Sequence, residues 1–379
     1  MNFNREKYKK LINEYLTGYQ PEFVEFYKKR YENCKYLCGF GVGNLGRGVW
    51  VLANAMGRKL DFYCDNNTEK TGKKDPYGYG VDVISLEELK RYKNETAVLI
   101  PTRYYKEIYA QLKTLGFPMV DRILDGKQGI DDFLKKSKAE EIIEGLWDTI
   151  DILADEESCR LLVRLIQEWV TNEYVYGQTD DLCTEPQYFP EDIITNEPNE
   201  VYVDCGAYTG DNILDFVNFT QGIFKSYYAF ELSARNYLEL QKNVSENWKR
   251  YEDKFVLENK GVSDSTGVIR YEEHDEGSKM EVQGTQDGEI VALDDYFVSG
   301  EKVTFIKMDI EGAEMQALQG AYETISENLP KLAICIYHKP QDLWEIPLFI
   351  KKNWKQYDIF IRHHTDLLNE TVCYAVLRG

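Results

Sequence analysis

Near the middle of the chain an apolar run leads directly into a glycine turn, Val201-Tyr202-Val203-Asp204-Cys205-Gly206-Ala207-Tyr208-Thr209-Gly210-Asp211, and a second such run ends on an acid at Glu231. Glycine lets a backbone turn sharply where a side chain would collide with a ligand, and an acid about 20 residues onward can accept hydrogen bonds from both hydroxyls of a ribose. Glu231 stands 25 positions after Gly206. This pairing is how a doubly wound sheet holds a nucleoside, so it constrains the chain to an α/β fold.

The remaining pattern of the rear half agrees. Apolar runs predict strands at 201–204, 227–230, 255–258, 303–309, 331–337, 357–362 and 371–377, with an extra hairpin between Gly267 and Gly284. Helical stretches follow the first, second, fourth and fifth, which predicts a mainly parallel sheet with helices on both faces. The last two runs, joined by polar residues, fit a closing antiparallel hairpin. Ligands of such sheets sit beyond the carboxyl ends of the strands, which singles out Asp204, Glu231, Gly261, Asp309 and His338. The glycines here fall as Gly-x-x-x-Gly behind an aspartate rather than as Gly-x-Gly-x-x-Gly, a spacing that points toward S-adenosylmethionine.

A length of 379 residues is too great for one ordinary core. Residues 1–33 carry apolar positions at helical spacing. A β-α-β pattern with further strands at 97–100 and 119–123 predicts a compact domain at 34–126. Residues 127–198 form a helical segment, whose apolar stripes Ile142, Ile143, Leu146, Trp147, Ile150 and Leu161, Leu162, Leu165, Ile166, Trp169 predict core or inter-domain packing, up to a Pro- and acid-rich passage, and 199–379 make the rear domain. The expected whole is therefore α/β, with two Rossmann-like doubly wound domains joined by a helical segment.

Forty-five basic against 65 acidic residues give a formal charge of −20, which repels a phosphate backbone and an anionic membrane surface. Nucleic acid is not an expected partner. No apolar run reaches a membrane span, and the charged start Met1 to Lys7 has no apolar stretch behind it, so neither membrane insertion nor a signal peptide is expected. Five of the eight cysteines (Cys38, Cys64, Cys205, Cys335, Cys373) lie in or beside apolar runs, as reduced thiols of a cytoplasmic protein would. There is no Cys-x-x-Cys pair, and His274, His338, His363 and His364 do not spell a zinc site.

The segment Phe305-Ile306-Lys307-Met308-Asp309-Ile310-Glu311-Gly312-Ala313-Glu314, followed by Leu318, Gly320 and Ala321, resembles the signature of FkbM-type methyltransferases. Val203 to Ala207 resembles that family's cofactor turn and Ala229-Phe230-Glu231 its ribose-binding strand end. Gly261-Val262-Ser263-Asp264, Val291 to Phe297 and Ile336-Tyr337-His338 resemble its later blocks, all in order over residues 199–379. Leu232-Ser233 depart from it, standing where the family often has a proline-containing turn. The resemblance implies a seven-stranded class I methyltransferase sheet and transfer of a methyl group from S-adenosylmethionine, usually to a hydroxyl of a sugar or natural product. It places the cofactor against Asp204, Gly206, Ala207, Tyr208, Gly210, Glu231, Leu232, Gly261, Val262 and Asp309. A small-molecule or glycan acceptor, as in polysaccharide biosynthesis, is the expected partner, and self-association is left open.

Methyl transfer to oxygen needs an aligned hydroxyl and a base to take its proton. His338 is the first candidate because an unperturbed imidazole titrates near neutrality; Asp309 and Glu311 face the same opening. Against this, Asp309, Glu311 and Glu314 also suit the first turn of a helix, where carboxylates complement exposed N–H groups. Asp309, Glu311 and His338 together would suit a divalent cation, though their spacing is no recognised metal motif. Asp294-Asp295 is expected to start a helix, and His363-His364 to be solvent-exposed.

A competing signal lies in front. Gly41-x-Gly43-x-x-Gly46 follows a strand, and Asp65 lies 19 positions past Gly46, the spacing of a dinucleotide fingerprint. Cys64-Asp65-Asn66-Asn67, Lys70-Thr71-Gly72 and Val83 to Leu89 are similar to the small Rossmann-like domain of sugar-modifying and polysaccharide-assembly proteins. This leaves open a nucleotide or nucleotide-sugar in the front domain, or a purely structural role. Two alternatives to a methyltransferase follow: an NAD-linked sugar oxidoreductase, and a non-catalytic nucleotide-sugar-binding scaffold.

Overall fold

The computed structural model describes residues 3–102, 104–123, 127–171, 183–274, 277–280, 284–298, 300–365 and 368–377. In the front half, β1 (Tyr36–Phe40), β2 (Phe62–Cys64), β3 (Asp82–Ile84), β4 (Thr96–Ile100) and β5 (Met119–Arg122) form one sheet in the order β3-β2-β1-β4-β5. Every pairing in it is parallel. Alternate residues of the strands serve opposite faces. Leu37, Tyr63, Ala97 and Leu99 join the core under helices Phe23–Arg30 and Arg47–Ala55, while Cys38, Phe40, Val98 and Ile100 pack with Tyr105 and Leu112 of helix Tyr105–Thr114. The three-residue β3 is too short for its apolar pattern to stand out in the sequence.

The rear half contains β6 (Val201–Cys205), β7 (Ser226–Phe230), β8 (Phe255–Glu258), β9 (Gly261–Val262), β10 (Gly267–His274), β11 (Gly277–Met280), β12 (Gln286–Val291), β13 (Phe305–Met308), β14 (Lys331–Cys335), β15 (Asp358–His363) and β16 (Thr371–Val376). Seven of these make the main sheet, in the order β15-β16-β14-β13-β6-β7-β8. Its first five members in sequence pair in parallel, and β16 runs antiparallel to both β14 and β15. The chain reverses direction across the sheet between β6 and β13, which places a switch point at their carboxyl ends. The β10–β11 hairpin falls where the glycines predict it. It belongs to a second sheet of order β11-β10-β12-β9, which the sequence reading missed.

The helical segment packs onto this rear sheet. Asp155 caps helix Glu156–Val170 by accepting from the Ser158 N–H at 2.9 Å, and Glu156 and Glu157 complement its first turn. Leu146, Ile150, Leu162 and Ile166 of this segment share one core with Ile334, Ile359 and Ile361 of the sheet. Leu153 forms a parallel bridge to Ile359, and the Ala154 N–H donates to the Ile359 carbonyl at 2.8 Å. Helix Arg5–Leu16 joins the same core through Tyr8, Ile12 and Leu16, whereas helix Phe23–Arg30 belongs to the front sheet. Trp147, placed on the apolar stripe by its spacing, is 36% exposed and donates its indole N–H to the Lys9 carbonyl.

Candidate active site

The turn after β6 is built around positive φ angles at Gly206 (+85°), Tyr208 (+47°) and Gly210 (+83°). A Cβ on Gly206 would run into the carbonyl oxygen of Asp309, so glycine is required for the close approach of this turn to the end of β13. At Gly210 a Cβ would meet Ile213 and Leu240 at 2.7 and 2.9 Å, so that glycine serves packing inside the domain. The N–H groups of Gly206 and Ala207 both donate to the Phe230 carbonyl, at 2.9 and 3.0 Å, which ties the turn to the end of β7.

One residue further, Glu231 is 6% exposed and accepts from the backbone N–H of Tyr208 at 2.9 Å and of Ser233 at 2.8 Å. Burial lifts its pKa to about 7, opposed by these two N–H donors. The carboxylate thus sits against the glycine turn, where the sequence pairing predicted it. Leu232 borders Gly261, within 3.4 Å of where a Cβ there would lie.

Asp204 differs from expectation. Its side chain is fully buried, 2.9 Å from the Lys307 ammonium on one side and accepting from the Tyr227 hydroxyl at 2.5 Å on the other. Lys307 also donates to the Gly206 carbonyl at 2.7 Å. Burial would lower the Lys307 pKa, but Asp204, Asp309 and Asp211 outweigh it and raise it. Asp204 therefore steadies the turn from below. Gly261 and Val262 also differ: they form β9 of the second sheet rather than the end of a main-sheet strand, and the Val262 side chain lies in the core with Phe230 and Val291. Ala207 is likewise fully buried.

Beyond β13 the carboxylate of Asp309 accepts from the Tyr188 hydroxyl at 2.8 Å and the Tyr337 hydroxyl at 3.0 Å, and lies 3.4 Å from Nε2 of His338. Burial alone would raise its pKa; Lys307, His338 and the two tyrosines together lower it. β13 and β14 end at Met308 and Cys335, earlier than their apolar runs, so Asp309 and His338 stand on the loops that follow. Nδ1 of His338 is 2.9 Å from Oε1 of Glu314, in ion-pair contact but off the line of a hydrogen bond. That same oxygen accepts from the N–H groups of Ile310 (2.9 Å) and Gly312 (3.3 Å), so Glu314 stands in the first turn of its helix but braces the preceding turn instead of capping the helix, and it also faces the imidazole. Burial lowers the His338 pKa, yet Glu314, Asp309 and Glu311 overcome it and lift it to about 9. The ring is an imidazolium at neutral pH, which corrects the expectation of an imidazole titrating near 7.

Glu311 lies exposed at φ +56° in the turn before helix Glu314–Gln319. The trio whose ligand atoms converge within 4.8 Å is Asp309, Glu314 and His338, with Glu314 in the place expected of Glu311. With Asp309 at one ring nitrogen and Glu314 at the other, the protonated ring is ion-paired on both sides. Sequence reasoning missed Tyr188, Lys307 and Tyr337. Of these, Lys307 alone carried a signal, as a single lysine inside an apolar strand.

Other expectations resolve simply. Asp294 lies in helix Leu293–Tyr296 and accepts from the N–H groups of Glu323 and Thr324, at 3.0 and 2.7 Å, in the first turn of helix Tyr322–Asn328. His363 and His364 are buried, against expectation, because residues 183 to 188 cover them: Thr184 donates its N–H to the His363 carbonyl at 2.8 Å. The His364 ring binds the Tyr374 hydroxyl at 2.9 Å, and burial pushes its pKa down to about 4. His274 lies outside the residues whose side chains are described. All eight cysteines are free thiols.

Residues 204–366 match the family model of the Methyltransferase FkbM domain. The chain is similar in structure to a methyltransferase FkbM from Methylobacillus flagellatus, with a TM-score of 0.73 at 22% identity over 98% of each chain, which establishes the fold through both halves. An rRNA methylase from Streptococcus thermophilus matches 48% of this chain and 89% of its own, at 16% identity and a TM-score of 0.31. Aeropyrum pernix fibrillarin, solved with S-adenosyl-L-methionine, matches 48% of this chain and 67% of its own, at 10% identity and a TM-score of 0.31. No curated protein matches the chain.

Proposed function

Residues 204–366 form a domain of the FkbM methyltransferase family, and from that premise we propose that the protein methylates a hydroxyl group of a sugar, glycan or related natural product with S-adenosylmethionine as donor. The observation that carries this reading is the convergence of Gly206, Glu231, Asp309 and His338 at the carboxyl edge of one seven-stranded sheet, beside its switch point. The donor site is formed by the Gly206 turn and by Glu231. Its side chain is already oriented by two backbone amides, and a carboxylate has lone pairs left for two ribose hydroxyls. When bound, the donor supplies an electrophilic sulfonium methyl.

The residues of this chain then have to hold an oxygen and take its proton. Asp309, fixed by Tyr188 and Tyr337, is the acceptor for an incoming hydroxyl, and its low pKa keeps it ionised. His338, held between Asp309 and Glu314, takes the proton when it is itself neutral. Because its pKa is about 9, the neutral ring is a small fraction at pH 7, and the transfer rate is expected to climb with pH and level off near that value. An acidic surface, with a formal charge of −20, suits a neutral or cationic acceptor.

The test is incubation of the protein with S-adenosylmethionine and a panel of glycans and small hydroxylated metabolites, read by mass spectrometry. A product one methyl heavier, lost in His338→Ala, supports the reading. Methylation that stays at the wild-type rate in His338→Ala removes the base assigned here, and methylation of an amine in preference to every hydroxyl removes the acceptor class.

A further inference from the structure

The glycine loop of the front sheet takes no part in the chemistry above, and we propose that it binds the ribose and diphosphate of a nucleotide whose diphosphate is capped by a second group. A cavity of about 820 Å³ opens at the carboxyl ends of β1 and β4, lined by Gly41, Gly43, Asp65, Lys70, Thr102 and Tyr104 among others. The chain runs from β1 outward to β2 and β3 on one side and from β4 to β5 on the other. The cavity therefore lies at the switch point of this sheet.

The three glycines separate by cause. Gly41 needs none but glycine because its φ is +108°. Gly46 has no room, since a Cβ would strike the Tyr77 hydroxyl and the Gly41 carbonyl. Gly43 has neither reason. Its φ and ψ of −88° and −172° suit any residue, and a Cβ there would meet nothing within 4 Å. The space beside Gly43 is therefore open, and a ligand can lie against the backbone of the loop there. The loop runs into the short helical turn Asn44–Gly46 and then helix Arg47–Ala55, whose leading amides suit a phosphate.

At the end of β2, the Asp65 carboxylate accepts from the Val42 N–H at 3.1 Å and the Asn67 N–H at 2.8 Å, with the Lys70 ammonium 3.4 Å away. It is thus fastened beside the glycine loop, where a ribose would reach it. Tyr104, a ring 71% exposed on the cavity rim, offers a face for a base to stack on. Among the described lining residues, two carboxylates (Asp65 and Glu107) stand against one lysine, Lys70. A diphosphate whose far end carries a sugar or a second nucleoside brings less negative charge to these two carboxylates than a triphosphate does.

Calorimetric titration of the full chain with UDP-glucose, GDP-mannose, ADP-ribose, NAD⁺ and ATP tests the proposal. The first three and NAD⁺ share the chemistry; binding by a nucleotide sugar alone, or by NAD⁺ alone, each supports the site and identifies the source. Gly43→Val fits the local backbone and fills the space, and is expected to weaken that binding at least about tenfold, with Tyr104→Ala weakening it several-fold. Circular dichroism confirms that both variants fold. No heat from any of these capped diphosphates at about 1 mM, an unchanged affinity in Gly43→Val, or ATP as the tightest ligand would overturn the proposal.

Discussion

His338 is where the chemistry and the stability of the protein meet. Its pKa stands at about 9 against an ordinary 6.5, because Glu314, Asp309 and Glu311 outweigh its burial. The folded chain therefore binds this proton more tightly than the unfolded chain. The stabilisation is complete below 6.5 and is lost as pH rises through about 9. Over that window the unfolding free energy is expected to fall by about 3 kcal/mol, and His338→Gln is expected to flatten the decline. Denaturant titrations at several pH values read it directly; a wild-type profile as flat as the variant's contradicts the ion-paired imidazolium. Glu231, lifted to about 7 mainly by burial, adds a separate loss at lower pH, between 4.5 and its own pKa.

The turn after β6 shows what an element-level pattern carries and what it omits. Gly206 and Glu231 were legible because both are dictated by local geometry: a positive φ needs glycine, and a strand end aims its next residue at the sheet's edge. Gly206→Ala is expected to cost at least about 2 kcal/mol, since it combines a φ of +85° with a clash against the Asp309 carbonyl. A thermal midpoint within a degree of wild type would show that the turn and β13 are not locked together. Lys307, a lone lysine in an apolar run, was visible but its partner Asp204, met across strands, was not; Tyr188 and Tyr337 act on Asp309 from distant loops, so nothing in their own neighbourhood announces them. The same holds for Gly261, where a two-residue strand pairs with β12 rather than with the main sheet, and for His363 and His364, whose cover comes from a loop near residue 184. Strand order was legible as a class from the alternation of runs and the closing hairpin. The second sheet was not, because polar strands such as β12 bury few side chains.

At the scale of the whole molecule the helical segment is the main lesson. Its apolar stripes predicted packing correctly, but a stripe does not say which surface it meets. The structure gives it to the rear sheet. Arg362 of β15 reaches Asp155 and Asp192 at 2.7 and 2.6 Å, and Ser158 accepts from the Ile361 N–H at 2.9 Å, so the segment is bonded to the sheet as well as packed on it. A fragment of residues 199–379 is therefore expected to unfold without a cooperative transition, since it exposes Ile334, Ile359, Ile361 and their neighbours. A fragment that melts as sharply as the full chain contradicts this. The central claim is that the carboxyl edge of the rear sheet holds the methyl donor by its ribose, and calorimetric titration of S-adenosylhomocysteine into the full chain and into Glu231→Ala tests it most directly. Saturable binding by the wild type, weakened at least about tenfold in the variant, is the predicted result; no heat from the wild type, or equal affinity in both, contradicts the account.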